Sequence, residues 1–146
     1  MTTTLPRYGV QGSEGLIADA IIQGEAAAAR LRQDETLRTA AEQLLKHAQR
    51  LDCFDLVAAT RAAEPLVTAA VLLSDGTLRM HCPETAAVER LLVVDAATIT
   101  GNESRNCARR LRARGCVWLA LAVYERVRPR SDELGSDPLF DDLVAI

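Results

Sequence analysis

The sequence predicts an α/β protein with three layers and a mostly parallel central sheet, preceded by two N-terminal helices. Apolar runs alternate with segments of helical spacing after residue 52, which is typical of strands joined by right-handed crossovers. The run at residues 91–94 has four consecutive apolar residues, as strands buried on both faces do. Before the first strand, two stretches at residues 13–33 and 34–51 have amphipathic helical spacing.

The N-terminal segment, residues 1–51, is expected to be helical after an irregular lead-in that ends at residue 12. Ser13 can cap a helix that runs to about residue 33, and a second helix begins at Asp34 or Thr36 and ends near residue 51. The apolar face of the first helix packs either on the protein's own core or on a second copy, which predicts a homo-oligomer in the second case. The second helix has one apolar face: Leu37, Ala40, Ala41, Leu44, Leu45 and Ala48.

The remaining residues, 52–146, are predicted to be the α/β core, and the chain 1–146 a single domain. Pro65 suits a first helical turn, and Gly115 suits the position just after a helix. The predicted strands are residues 54–59, 77–81, 91–94 and 116–123, with an edge strand in 139–146; the predicted helices are residues 64–73 and 102–114, and residues 126–138 form a polar loop.

The composition is ordinary for a globular protein and argues against two classes of partner. A net charge of −3 and an aromatic content of 3% do not favour a dedicated nucleic-acid binder. The apolar runs are too short or too charged to span a bilayer, and the N-terminus lacks the order of a signal peptide. We therefore expect no nucleic acid and no membrane as partners, and a cytoplasmic location.

Four cysteines are present, and their spacing does not predict a metal site. They are Cys53, Cys82, Cys107 and Cys116, and no two of them form a Cys-x-x-Cys pair. We expect buried, reduced thiols, because free cysteine behaves as a small core hydrophobe. Cys82 lies at the end of a predicted strand and is the candidate for a reactive thiol.

The segment after residue 94 carries the candidate chemistry. Asp95 comes where the strand is predicted to end, and Gly101 comes just before a helix. Ligands of parallel sheets bind at the carboxyl ends of strands, and the N–H groups of a helix start favour anions. Thr98, Thr100 and Ser104 add hydroxyl donors. The sequence therefore predicts a small anion cradle here, although an ordinary strand-to-helix connection has the same pattern.

These residues resemble the ribose-phosphate motif of the type I phosphoribosyltransferases. Val93-Val94-Asp95 resembles the strand end and first acid of that motif, and Thr100-Gly101 resembles its Thr-Gly pair. Arg61, in the loop at residues 60–63, matches the cation of the loop that holds pyrophosphate in the family. The resemblance covers residues 54–128, about half the chain.

The resemblance implies a phosphoribosyltransferase-like fold that binds phosphoribosyl pyrophosphate or a nucleotide phosphate. It implies Asp95 as the catalytic residue, and magnesium held mainly by the pyrophosphate of the ligand. The implied ligand-binding residues are Arg61, Thr98, Thr100, Gly101, Asn102 and Ser104.

The chain also departs from the family pattern. Ala96 replaces the second acid, Glu103 replaces a small or hydroxyl residue, and only residues 82–89 stand where the family has a long mobile loop. Three functions follow: a ligand-binding domain with weak or lost transferase activity, an active minimal phosphoribosyltransferase that acts on a base or small acceptor, or a structural or interaction module that lost its ligand site. We prefer the first.

Overall fold

The computed structural model describes residues 13–98, 101–126 and 138–146. The predicted lead-in and most of the predicted polar loop lie outside these residues. In chain order the elements are α1 (Ser13–Arg30), α2 (Asp34–Leu51), β1 (Asp55–Ala58), a 3₁₀ turn (Arg61–Ala63), α3 (Glu64–Leu73), β2 (Arg79–His81), β3 (Arg90–Thr98), α4 (Asn102–Ala113), β4 (Trp118–Arg126) and β5 (Asp142–Ala145).

In the described part of the chain, five strands form one sheet in the order β2-β1-β3-β4-β5. Every neighbouring pair is parallel. The predicted α/β class and parallel sheet are therefore confirmed, and the predicted edge strand near the chain end is present as β5. The strand order reverses direction between β1 and β3, because the chain first adds β2 on one side and then adds β3 to β5 on the other.

Helices cover both faces of this sheet, which gives the three predicted layers. Side chains on alternate positions of β3 point to opposite faces. Leu92 and Val94 pack with α2 and α3, whereas Leu91 and Val93 pack with α4. β3 lies in the middle of the sheet and has a strand on each side, so its apolar run is buried on both faces as predicted.

The structure corrects the boundaries of two elements. β3 does not end at residue 94 but continues to Thr98, because its pairing with β4 extends to Thr98 opposite Arg126. Asp95 therefore lies inside a strand and not in the loop after it. α1 ends at Arg30 and not near residue 33, because the amides of Arg32 and Gln33 bond three residues back, the latter to Arg30 C=O at 3.0 Å.

The described side chains of α1 are partly buried and partly exposed. Ala27 lies in this helix and Leu31 directly follows its last residue, and both are fully buried in the protein's own core. Ile21 and Ile22 are 47% and 63% exposed. Part of the apolar face therefore packs within the chain, and association of two copies through the rest of the helix stays a prediction.

The core of the α2–α3 layer allows a matched test of packing on one helix. Leu66 of α3 is fully buried, and Leu72 of the same helix is 76% exposed. We expect Leu66→Ala to lower the free energy of unfolding by about 2–5 kcal/mol, because it removes buried methyl groups and leaves a cavity. Leu72→Ala should change it by less than about 0.5 kcal/mol. Urea unfolding at 25 °C measures both, and equal losses would contradict the described position of α3.

Candidate functional site

The candidate site lies at the carboxyl edge of the sheet, between β1 and β3. This is the point where the strand order reverses, and open α/β sheets form a ligand crevice there. The end of β1 is fixed to β3 by a hydrogen bond from Ala59 N–H to Val94 C=O at 2.9 Å. The turn after β1, the end of β3 and the start of α4 therefore meet at one place.

Asp95 is the buried polar group that joins these three elements. Its side chain is 3% exposed, and it points to the α4 face of the sheet because Val94 and Ala96 point to the other. Thr60, in the turn after β1, donates its hydroxyl to Asp95 Oδ1 at 3.0 Å. Ser104, in the first turn of α4, donates its hydroxyl to Oδ2 at 3.0 Å. Each carboxylate oxygen thus has a donor from a different element.

Burial raises the pKa of the Asp95 carboxyl from its ordinary 3.8 to about 6. The hydrogen bonds from Ser104 and Thr60 oppose this effect because they favour the charged form, and the nearby negative charge of Glu103 adds to it. Asp95 is therefore mainly ionised at pH 7, although its surroundings disfavour the charged form. Such a carboxyl group is typical of functional sites.

Arg61 is the cation of the site. It begins the 3₁₀ turn directly after Thr60, and its side chain is exposed. Among the residues that the structure describes, its guanidinium forms no hydrogen bond or ion pair. An exposed guanidinium that has five donors and no internal partner can bind a carboxylate or phosphate through two parallel hydrogen bonds.

A cavity of about 390 Å³, called here the β1–β3 cavity, brings these groups together. Its lining includes Thr60, Arg61 and Asp95, together with Glu103 of α4. α1 adds Ile21 and Glu25 to the same lining. The volume is in the range of small-molecule sites in proteins.

α1 is joined to the sheet at its C-terminal end. Arg30 forms an ion pair with Glu125 near the end of β4, and it also hydrogen-bonds the side chain of Tyr124. Both partners of the ion pair are partly exposed. α1 therefore contributes to the site, and its position agrees with the expectation that the leading helices lie in the part of the chain next to the ligand site.

A second cavity of about 480 Å³, the β1–β2 cavity, lies on the other side of Arg61. Its wall includes His81, Cys82 and Glu84, and the Cys82 thiol donates to Glu84 Oε1 at 2.8 Å. His81 Nε2 lies 2.7 Å from Asp55 Oδ1, so it belongs to an edge contact between β2 and β1.

The expectation of buried, reduced thiols is confirmed for three of the four cysteines and is wrong for Cys82. Cys82 is exposed, whereas Cys53, Cys107 and Cys116 are buried and free. Burial raises the pKa of Cys53 and of Cys107 to about 11. The buried thiols are therefore protonated at pH 7. In the described residues, no cluster of three or more histidine, cysteine or acidic side chains is arranged to hold a metal ion.

The structure brings together some of the predicted site residues and gives others different surroundings. Asp95 and Arg61 line one cavity. Gly101 precedes α4 with φ +81°, a conformation that glycine adopts without strain. Asn102 is the exposed first residue of α4, and the Ser104 hydroxyl already binds Asp95.

Two predicted positions cannot be placed, and one residue was missed. The side chain of Thr98 and all of Thr100 lie outside the described residues. Thr60 was not predicted as a site residue. The sequence did offer one indication that Thr60 belongs to the site. It precedes Arg61 at the end of a core strand, where a hydroxyl can reach the neighbouring strand.

Comparison with known proteins supports the fold and leaves the family open. No family model matches the chain, and no curated protein matches it. The structure is similar to that of a UMP synthase from Leishmania donovani, with a TM-score of 0.56 and 19% sequence identity over 82% of this chain. This chain spans 29% of that one. The likeness shows a phosphoribosyltransferase-like α/β fold.

None of the helices in the described residues combines the length and the apolar character that a membrane crossing needs.

The buried carboxyl group predicts a pH dependence that can be isolated by one substitution. Because the pKa of Asp95 is about 6 in the folded protein and 3.8 ordinarily, folding takes up a proton between these values. The protonated Asp95 carboxyl therefore adds to the free energy of unfolding below pH 4, and this contribution is lost as the pH rises through 6. The total loss is at most on the order of 3 kcal/mol.

We expect Asp95→Asn to remove this loss. Urea unfolding at pH 4.5 and pH 7.0 gives the change in the free energy of unfolding between the two pH values. This change should be more negative for the wild type than for the variant. The comparison is needed because Asp55 and Asp141 have lowered pKa values, so their contributions change with pH in the opposite sense. Identical pH dependence in both proteins would contradict the buried environment of Asp95.

Proposed function

We propose that this chain is a phosphoribosyltransferase-like domain that binds phosphoribosyl pyrophosphate or a nucleotide phosphate in the β1–β3 cavity, with weak or lost transferase activity. The observation that carries the proposal is that Arg61, whose guanidinium has no partner among the described residues, and the buried carboxylate of Asp95 line one cavity where the strand order reverses. Such a crevice is where α/β sheets of this kind bind ligands.

The groups at this edge match the parts of a phosphorylated ribose. Arg61 suits a phosphate group, and the amides at the start of α4 favour a negative charge. Gly101 allows the backbone to turn tightly into that helix. The structural neighbour is named for the synthesis of UMP, a nucleotide that contains ribose 5-phosphate, which agrees in ligand class.

Several features favour binding over rapid catalysis. Transfer of a ribose builds positive charge on the sugar, and carboxylates stabilise that charge. Asp95 is nearly inaccessible and already accepts two hydrogen bonds, and the next residue is Ala96. Of the acidic residues on the cavity wall, Glu25 and Glu103 are exposed. A magnesium ion would therefore be held mainly by the phosphates of the ligand, which suits an ion that uses few protein carboxylates.

An active minimal phosphoribosyltransferase is the second candidate, and the position of α1 favours it. An enzyme of this kind needs a cover that excludes water. α1 contributes Ile21 and Glu25 to the lining of the β1–β3 cavity and is joined by Arg30 to β4, so it is the element next to the cavity from which such a cover would come.

Thermal unfolding with phosphoribosyl pyrophosphate and magnesium chloride tests the binding. At a ligand concentration ten times Kd, we expect the wild-type Tm to rise by about 3–6 °C. Arg61→Gln should remove most of this rise because the cation is lost, and Thr100→Ala tests the predicted hydroxyl contact. Arg109→Gln is the matched control, since Arg109 lies exposed on α4 and does not line the β1–β3 cavity.

A Tm that does not move at millimolar ligand would contradict the proposal and favour an interaction module without a ligand. A rise that Arg61→Gln leaves unchanged would place the ligand elsewhere. Release of pyrophosphate with a panel of free bases separates the two binding candidates: release that depends on a base identifies an active transferase.

A further inference from the structure

Thr60 precedes the 3₁₀ turn and uses its hydroxyl in an unusual way. A threonine at the start of a helix commonly caps it, because the side-chain oxygen accepts a backbone N–H of the first turn. Within the described residues 60–64 the Thr60 side chain forms no such bond. The hydroxyl instead donates to Asp95 Oδ1 at 3.0 Å, and the Thr60 C=O accepts the N–H of Ala63 at 3.1 Å, which closes the turn. The start of the turn is therefore bonded to β3.

The partner of this hydroxyl has a fixed position. Asp95 lies in the central strand, where it pairs with Val123 of β4, and its side chain is 3% exposed. Its other carboxylate oxygen accepts the Ser104 hydroxyl at 3.0 Å. Both oxygens are thus bonded within the protein, so Asp95 transmits the position of the sheet to Thr60.

Arg61 depends on the backbone of this turn for its direction. It directly follows Thr60, and among the described residues its guanidinium forms no hydrogen bond or ion pair. It lines both the β1–β3 cavity and the β1–β2 cavity, so its side chain stands between two openings. Because no described side chain holds the guanidinium, the backbone that begins at Thr60 sets which opening it serves.

We infer that Thr60 is a positioning residue, which through its hydrogen bond to Asp95 holds the turn so that the Arg61 guanidinium serves the β1–β3 cavity. This inference rests on the proposed function and names a residue that acts on the ligand through Arg61. The physical reason is geometric. A planar guanidinium forms two parallel hydrogen bonds to a phosphate only in the correct orientation, so a small displacement of the turn weakens the contact.

Isothermal titration calorimetry with phosphoribosyl pyrophosphate and magnesium chloride tests the inference. Thr60→Val keeps the shape of the side chain and removes the hydroxyl. We expect it to raise Kd by about tenfold, as for residues that share one hydrogen-bond network. Thr60→Ala removes the same hydroxyl and should act alike, whereas Thr60→Ser keeps it and should bind within about twofold of the wild type. Thermal unfolding identifies the variants that are folded at the temperature of the titration.

A matched control removes a hydroxyl elsewhere. Thr68 is exposed on α3, its hydroxyl donates to the Met80 sulfur at 3.7 Å, and it is not among the described residues that line the β1–β3 cavity. Thr68→Val should therefore leave Kd unchanged.

The Arg61→Lys background separates positioning from direct contact with the ligand. A lysine ammonium is a point charge on a flexible stem, so its contact with a phosphate depends less on orientation. In this background we expect Thr60→Val to raise Kd by less than about threefold.

Wild-type affinity in Thr60→Val and Thr60→Ala overturns the inference and leaves the proposed function standing. An equal loss in the arginine and lysine backgrounds also overturns it, since Thr60 would then contact the ligand itself. A loss in Thr60→Ser as large as in Thr60→Val does so too, because the hydroxyl would not be the group that matters. Failure of the wild type to bind overturns the proposed function and the inference together.

Discussion

Burial of one carboxylate between three elements is the constraint on which the edge of this sheet depends. An ionised carboxyl group away from water is unfavourable unless donors surround it. Here Thr60 and Ser104 supply those donors, so the turn after β1 and the start of α4 are both held to β3. The position of Arg61 follows, because it is the next residue after Thr60. The same contacts that satisfy Asp95 thus arrange the candidate site.

Charges of both signs meet at this edge. The backbone at the start of α4 and the Arg61 guanidinium both attract negative charge, whereas Glu25, Asp95 and Glu103 oppose it. If the proposed function holds, this balance predicts modest affinity for a phosphate. It also explains why a phosphoribosyltransferase-like fold by itself does not determine the activity, since one fold supports different sites.

Much of the fold could be predicted because it depends on local pattern. Four consecutive apolar residues at 91–94 indicate a central strand, and the spacing of Ala40, Leu44 and Ala48 indicates the buried face of α2. The length of β3 could not be predicted, because it depends on pairing with β4 far along the chain. The partner of Ser104 was missed for the same reason: its hydroxyl faces Asp95 only once α4 packs on the sheet.

The attachment of α1 has a consequence for how a small molecule reaches the cavity. The described contacts of its C-terminal end include a partly exposed ion pair, which dissolved salt weakens, whereas β3 is buried on both faces. Regions of low local stability open without global unfolding. We therefore expect exchange with solvent to begin at the exposed part of this helix while the sheet stays intact, so that amide protons there lose protection before those of the central strand.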